Sequence, residues 1–395
     1  MSDAATQGSF PVDFLRLRLT NFLSYRRATI EFGNLVALVG PNASGKSNAV
    51  AAIKLLREIP FHGLPTAIAR RGGFDQLRHR SSGRPYNPSL RLEFHFPGAE
   101  ADSFYELRLG AVKGKRYEVQ REEGCVAWPN LTSRFVHERG NYEYTETTSE
   151  GEVRGSTSDE EARVRIPPGQ SAIVAGGYAF AQYVVSEVLQ SMQTVEVNPA
   201  RVGELQEPSS VRDFEPDGSN TASVFESLGA AEREDLTDQL AAIVPGLSRI
   251  ELRRLADKVT VVFFQDTGSG VSREFFAKQM SDGTLRAFSI LLAMLQPRRP
   301  RLIVVEEPEI AIHLGALASL VEIFRNQSET MQILLTTHSA DIVDLLDVSD
   351  LRVIWSDQGE SHASKVAKHT VKTVREGLIT PGALLRADSL DPATA

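Results

Sequence analysis

Cysteine is nearly absent: the 395-residue chain has one, Cys125, so no internal disulfide can form. No apolar run reaches the 18 residues a membrane helix needs, and the polar start, Met1 to Gly8, lacks a signal-peptide core; the expectation is a cytoplasmic protein without a membrane span. Positive charge is in deficit, with 43 Lys and Arg against 51 Asp and Glu for a net charge of −8. This argues against wholesale electrostatic attachment to nucleic acid and leaves local basic patches open. No internal repeat and no sustained heptad pattern occur, which excludes a solenoid and a long coiled-coil arm. The strand-and-acid pattern of a metal-dependent nuclease is missing after residue 340, where Ala363 to Ala395 has room for a helix or two. What remains is ordinary globular composition, 42% hydrophobic and 24% charged, at a length that suits two or three compact units.

Against that background one stretch stands out. Gly40-Pro41-Asn42-Ala43-Ser44-Gly45-Lys46-Ser47, followed by Asn48, fits G-x-x-x-x-G-K-[ST] at every fixed position. Glycines let the backbone aim N–H groups at phosphate oxygens, and a following helix adds its positive end. The flanks agree: Leu35 to Val39 is an apolar β-branched run, and Asn48 to Arg57 reads as a helix. The expected ligand is ATP, with Lys46 on the β- and γ-phosphates and the Ser47 hydroxyl on Mg²⁺.

Period-two alternation predicts strands at Val12–Leu19, Arg27–Phe32, Ser89–Phe96 and Phe104–Leu109, with shorter ones at Arg116–Gln120 and Asn141–Thr145. Residues 60–88 are Gly/Pro/Arg-rich, and Glu143–Glu161 reads as a mobile polar loop. Helical spacing appears at Ala179–Met192 and Ala230–Ile243; Val259–Phe264 and Arg273–Ala277 read as strands around a turn at 268–270.

Two further buried-strand runs end in polar clusters. Leu302 to Val305 leads into Glu306-Glu307-Pro308-Glu309, the form of a Walker B element. Glu306 is assigned to the metal and Glu307 to polarising the attacking water. Ile333 to Ser339 ends in Thr337-His338-Ser339, where His338 could sense a γ-phosphate. Ahead of both, Met280-Ser281-Asp282-Gly283-Thr284 opens the apolar helix Ala287–Leu295, either as an anion-binding helix end or as a plain N-cap.

In order, the segments at 40–47, 281–284, 306–309 and 337–339 resemble ATP-binding-cassette (ABC) type heads. More narrowly they resemble the bacterial AAA family ATPases grouped with the RecF, SMC and overcoming-lysogenization-defect proteins. Leu19 to Ser24 resembles that group's opening strand and Glu215 to Asn220 a segment of its helical lobe. The resemblance implies an α/β P-loop NTPase fold, an ABC-ATPase-type head with an inserted α+β lobe. It further implies a homodimer sandwiching two ATP molecules, with Ser281, Asp282 and Gly283 acting on the partner's nucleotide while Lys46, Ser47, Glu306, Glu307 and His338 act in their own chain. MSDGT in place of LSGGQ, and Glu306 in place of aspartate, point away from transporters. Gln76 is the candidate for the glutamine that couples metal and nucleotide to the inserted lobe.

The expected division is a discontinuous head at 10–60 and 272–360, a mainly antiparallel β region at 61–170, a helical lobe with return strand at 171–271, and a tail at 361–395. Arg70, Arg71, Arg78 and Arg80, with His79 and Arg84, form a basic cluster that reads as a DNA-phosphate contact or as a solvated or partner-facing surface. The expected activity is Mg²⁺-dependent ATP hydrolysis that switches the dimer. Two roles compete: gating of a separately encoded nuclease or toxin in bacterial antiphage defence, and a RecF-like repair or chromosome-associated ATPase. A nucleotide-binding scaffold with little turnover is a third, against which the Glu306–Glu307 pair argues.

Overall fold

A computed structural model describes residues 10–80, 86–114, 116–156, 166–175, 179–266, 268 and 271–393. Its centre is a six-stranded sheet in the order Met192–Val195, Leu302–Glu306, Gln332–Thr337, Leu35–Val39, Leu351–Asp357, Glu360–Lys365. The first five run parallel and the last is antiparallel. Parallel strands buried on both faces must be apolar throughout, and all five residues of Leu35–Val39 are buried. Val36 and Leu38 enter one hydrophobic core; Leu35, Ala37 and Val39 enter the other.

On one side lies an eight-stranded antiparallel sheet, ordered Tyr25–Glu31, Asp13–Phe22, Ser89–His95, Ser103–Val112, Arg116–Trp128, Leu131–Glu138, Asn141–Thr148, Gly151–Ser156. The helices Lys46–His62 and Phe180–Gln190 share its core. On the other side the helix Asp282–Leu295, buried almost throughout, packs with Leu314–Gln327, Ala230–Ala241 and the three-stranded sheet Leu247–Leu255, Lys258–Asp266, Ser272–Phe276. Gln332 joins the sheets: its Oε1 accepts from Phe14 N at 2.6 Å and its Nε2 donates to Phe14 O at 2.9 Å.

Sheet membership cuts across the division expected from sequence. Asp13–Phe22 and Tyr25–Glu31 belong to the antiparallel sheet, and Met192–Val195 and Glu360–Lys365 to the parallel one. Residues 143–156 are a correction. Most of the stretch read as a mobile loop is a strand pair, registered from Glu143↔Ser156 to Thr148↔Gly151, because the backbone of Leu131–Glu138 offers an edge to extend. Residues 157–161 lie outside the described residues, as do Arg84 and residues 269–270.

Candidate functional site

Strand Leu35–Val39 delivers the loop at 40–47 between the strands ending in Thr337 and Asp357. Gly45 has φ +118°, and a Cβ there would collide with Ser361 Oγ, so only glycine fits. The loop is braced from behind: Tyr25 donates its hydroxyl to Gly45 O at 3.0 Å, Asn48 Nδ2 donates to Ser24 Oγ at 2.6 Å, and Ser361 Oγ lies 2.7 Å from that same oxygen. The helix Lys46–His62 opens with no acidic residue in its first turn, leaving its positive end free for an anion.

Lys46 is buried and Nζ donates to Gly40 O at 2.8 Å and Pro41 O at 3.0 Å. Burial lowers its pKa, and the facing charges of Glu307 and Glu309 partly oppose the shift. Ser47, Pro41, Asn42 and Ala43 are exposed; Ser44 is buried, its Oγ without a partner among the described residues. A glycine-built cradle, a helix end without acids, a lysine already capping loop carbonyls and a spare hydroxyl fit a polyphosphate.

The acid-bearing strand and the His338 strand are neighbours, Glu306 opposite Thr336. Glu307 takes a left-handed conformation, φ +46°, and its N–H donates to Thr336 O at 2.9 Å. His338 Nδ1 then lies 3.4 Å from Glu307 Oε1 and 3.9 Å from Glu309 Oε1. Thr337 Oγ1 donates to Glu309 Oε1 at 2.6 Å. Lys46, Glu307, Glu309 and His338 thus form one charged cluster at the C-terminal ends of adjacent parallel strands, where such sheets bind ligands.

Glu306 is placed differently from its neighbours. Its Oε1 receives Lys54 Nζ at 2.7 Å, and Lys54 also donates to Glu196 at 2.6 Å. Burial alone would lower the Lys54 pKa; Glu306 and Glu196 more than compensate and raise it. Magnesium at Glu306 would share that carboxylate with an ammonium. Ser47 remains exposed for the ion, and no group of three or more His, Cys, Asp or Glu able to hold a metal occurs among the described residues. This donor set suits Mg²⁺ carried largely by substrate phosphates.

Ser281 caps the Asp282–Leu295 helix, accepting from Thr284 N at 3.2 Å, and Ser281 and Asp282 face solvent. Gly283 is pressed against the segment after Glu309, where a Cβ would strike Ala311 O. Gln76 is exposed on the short helix Phe74–Leu77 and makes no hydrogen bond to the loop or the acids among the described residues. The basic cluster is not a single patch. Arg71 is spent on Glu58 at 2.9 and 3.1 Å, and Arg78 contacts Asp75 and stacks over Phe74; Arg70 and Arg80 are exposed.

Sequence reasoning assigned no role to Glu309, Lys54, Ser24, Tyr25 or Ser361. Only Glu309 carried a signal, as the last acid of its segment; the others act through partners distant in sequence.

A family model described as "AAA domain, putative AbiEii toxin, Type IV TA system" matches residues 35–344, and the chain belongs to that family. No curated protein matches the chain. Among solved structures, an Smc head bound to the C-winged helix domain of ScpA is 16% identical, covers 91% of this chain and 99% of that one, and superposes with a TM-score of 0.55. An Smc head with an extended coiled coil from Pyrococcus furiosus, bound to the C-terminal domain of ScpA, gives 14%, 93%, 100% and 0.54. The fold is therefore an α/β P-loop ATPase head of ABC type carrying an inserted α+β lobe.

Proposed function

We propose that this chain is an ATP-hydrolysing switch: two copies close on two ATP molecules, hydrolysis reopens them, and the change gates a separately encoded effector. The observation that carries it is the convergence of Lys46, Glu307, Glu309 and His338 at the C-terminal ends of adjacent central strands, with Ser281 exposed on a different element. Lys46 holds the β- and γ-phosphates. Glu307 orients and deprotonates the attacking water, with His338 beside it to sense the γ-phosphate. The backbone N–H groups after Gly45 receive phosphate oxygens, and Ser281 with the Asp282–Gly283 helix end completes the partner's site. Magnesium, held by Ser47 with the Glu306–Glu307 acids nearby, would neutralise phosphate charge. Both structural relatives were solved with a domain of a separate partner protein, which supports an effector encoded apart, and the family's description names a toxin system, which favours a role in antiphage defence.

Mixing two variants tests the switch. Glu307→Gln should bind ATP without hydrolysing it, and Ser281→Arg should block docking on the partner's phosphate. A dimer of one chain each retains one undamaged composite site, so phosphate release should return on mixing. Heterodimers that form and stay inactive would refute the cross-chain arrangement.

A further inference from the structure

Two solvent-shielded polar atoms of opposite charge lie on elements packed against each other, and neither has a hydrogen-bond partner among the described residues. The first turn of the Asp282–Leu295 helix touches the segment after Glu309 at Gly283 and Ala311. Arg286 Nε on that helix is shielded from solvent with no hydrogen-bond partner among the described residues, and so is Glu309 Oε2 on the other side. The Glu309 side chain is only 10% exposed, and its Oε1 is taken by Thr337. Burial lowers the Arg286 pKa, opposed by Glu307, Asp282 and Glu309, which are the charges that face it. A guanidinium nitrogen shielded from water without a partner is costly, and the planar fork of Arg suits a carboxylate better than any other side chain. Helical side chains lean toward the N-terminus, which sends Arg286 back toward the Gly283 contact.

We infer that Arg286 is a positioning residue through which the helix carrying Ser281 holds Glu309, and with it the Glu307–His338 pair, in its own chain. Ser281 at the head of the helix serves the partner's nucleotide, whereas Arg286 one and a half turns on serves the acids of its own site. Docking on one nucleotide is thereby tied to the hydrolytic geometry at the other. This rests on the proposed function.

The test uses the full chain with Arg286→Ala, Arg286→Lys, Glu309→Gln and the Arg286→Ala/Glu309→Gln double variant. ATP affinity by calorimetry should stay near the parent's, while kcat falls about tenfold or more at little-changed KM and lysine restores part of the loss. If Arg286 acts through Glu309, the double variant is no slower than the worse single one; multiplying losses overturn the inference. A second readout needs no nucleotide. Amide exchange at Ile310 and Ile312, which donate to Glu307 O and Glu309 O, should accelerate in Arg286→Ala, and unchanged exchange counts against it. Should Arg286→Ala fail to fold, Arg286→Lys carries the same cycle and exchange measurement. Mixing Arg286→Ala with Ser281→Arg then separates same-chain from cross-chain action, because the one competent site pairs intact acids with an intact Ser281. Recovery equal to the Glu307→Gln and Ser281→Arg mixture is expected; none would place the guanidinium across the dimer and overturn the proposal. If that reference mixture itself fails, the sandwich is wrong, and the cycle with Glu309 still decides Arg286.

Discussion

Lys46 and Glu307 carry separable tasks, and single substitutions should separate them. Lys46→Ala removes a buried cation that loop amides cannot replace, so ATP binding by calorimetry should vanish; equal affinity would refute the phosphate-loop assignment. Glu307→Gln removes a group needed only in the chemical step, so ATP affinity should persist while turnover falls by orders of magnitude. Lys54→Met strips Glu306 of its ammonium and leaves a mostly buried carboxylate unpaired, at a cost of about 2 kcal/mol, which thermal denaturation should show as a midpoint lowered by a few degrees. The loop at 40–47 was legible because its chemistry is local: glycine, lysine and serine at fixed spacing need only a strand before and a helix after. Lys54 was not, since its carboxylates stand at 196 and 306, and nothing around residue 54 marks it. Arg286 reads as an ordinary helix residue until the charges that face it, Glu307, Asp282 and Glu309, are seen together.

Packing of elements decided what pattern reading left open. Gly283 looked like part of a helix-start motif, and its tighter constraint is the carbonyl of Ala311. Gly283→Ala should therefore push the helix off that segment, leaving ATP binding by single chains intact while hydrolysis drops and amide exchange rises at 307–312. Unaltered hydrolysis would show that the contact is slack. Strand–strand alternation was readable wherever one face is apolar, as in Asp13–Phe22. It failed for residues 146–156, which are almost all polar and whose strand character comes from the neighbouring backbone. The outer face of the same sheet predicts a pH response. Burial would raise the pKa of Glu93, yet hydrogen bonds from Arg91 and Arg18 and the charges of Arg18 and Arg16 outweigh it and leave the value lowered. Glu106 is lowered in the same way by Arg108, Ser89 and Arg91. A carboxylate depressed on folding contributes stability that is complete above its unfolded value, about 4.3, and lost as pH falls through the folded value. The melting temperature should hold from pH 7 to about 5 and fall below about 4.3, with a shallower acid limb in Arg91→Leu. An identical limb in that variant would remove the arginines from the account.

For the whole molecule, blocked hydrolysis should appear as mass. With ATP present, Glu307→Gln should accumulate as a dimer by light scattering, and Ser281→Arg should remain monomeric under the same conditions. A monomeric Glu307→Gln saturated with ATP would dissociate closure from nucleotide binding.

The phosphate-loop strand has no early neighbour. Leu35 pairs with Ile333, and Ala37 with both Leu335 and Leu351, so each edge of this fully buried strand waits for chain made some 300 residues later. At about 5–20 residues per second, a ribosome holds those five apolar residues without their partners for roughly 15–60 s, while the antiparallel ribbon from Ser89 to Ser156 has all its internal pairings in hand. The nucleotide site is consequently the last part of the head to come into being. A chain interrupted before Leu351 lacks a flank of the loop strand, and a stalled copy therefore cannot serve as half a switch.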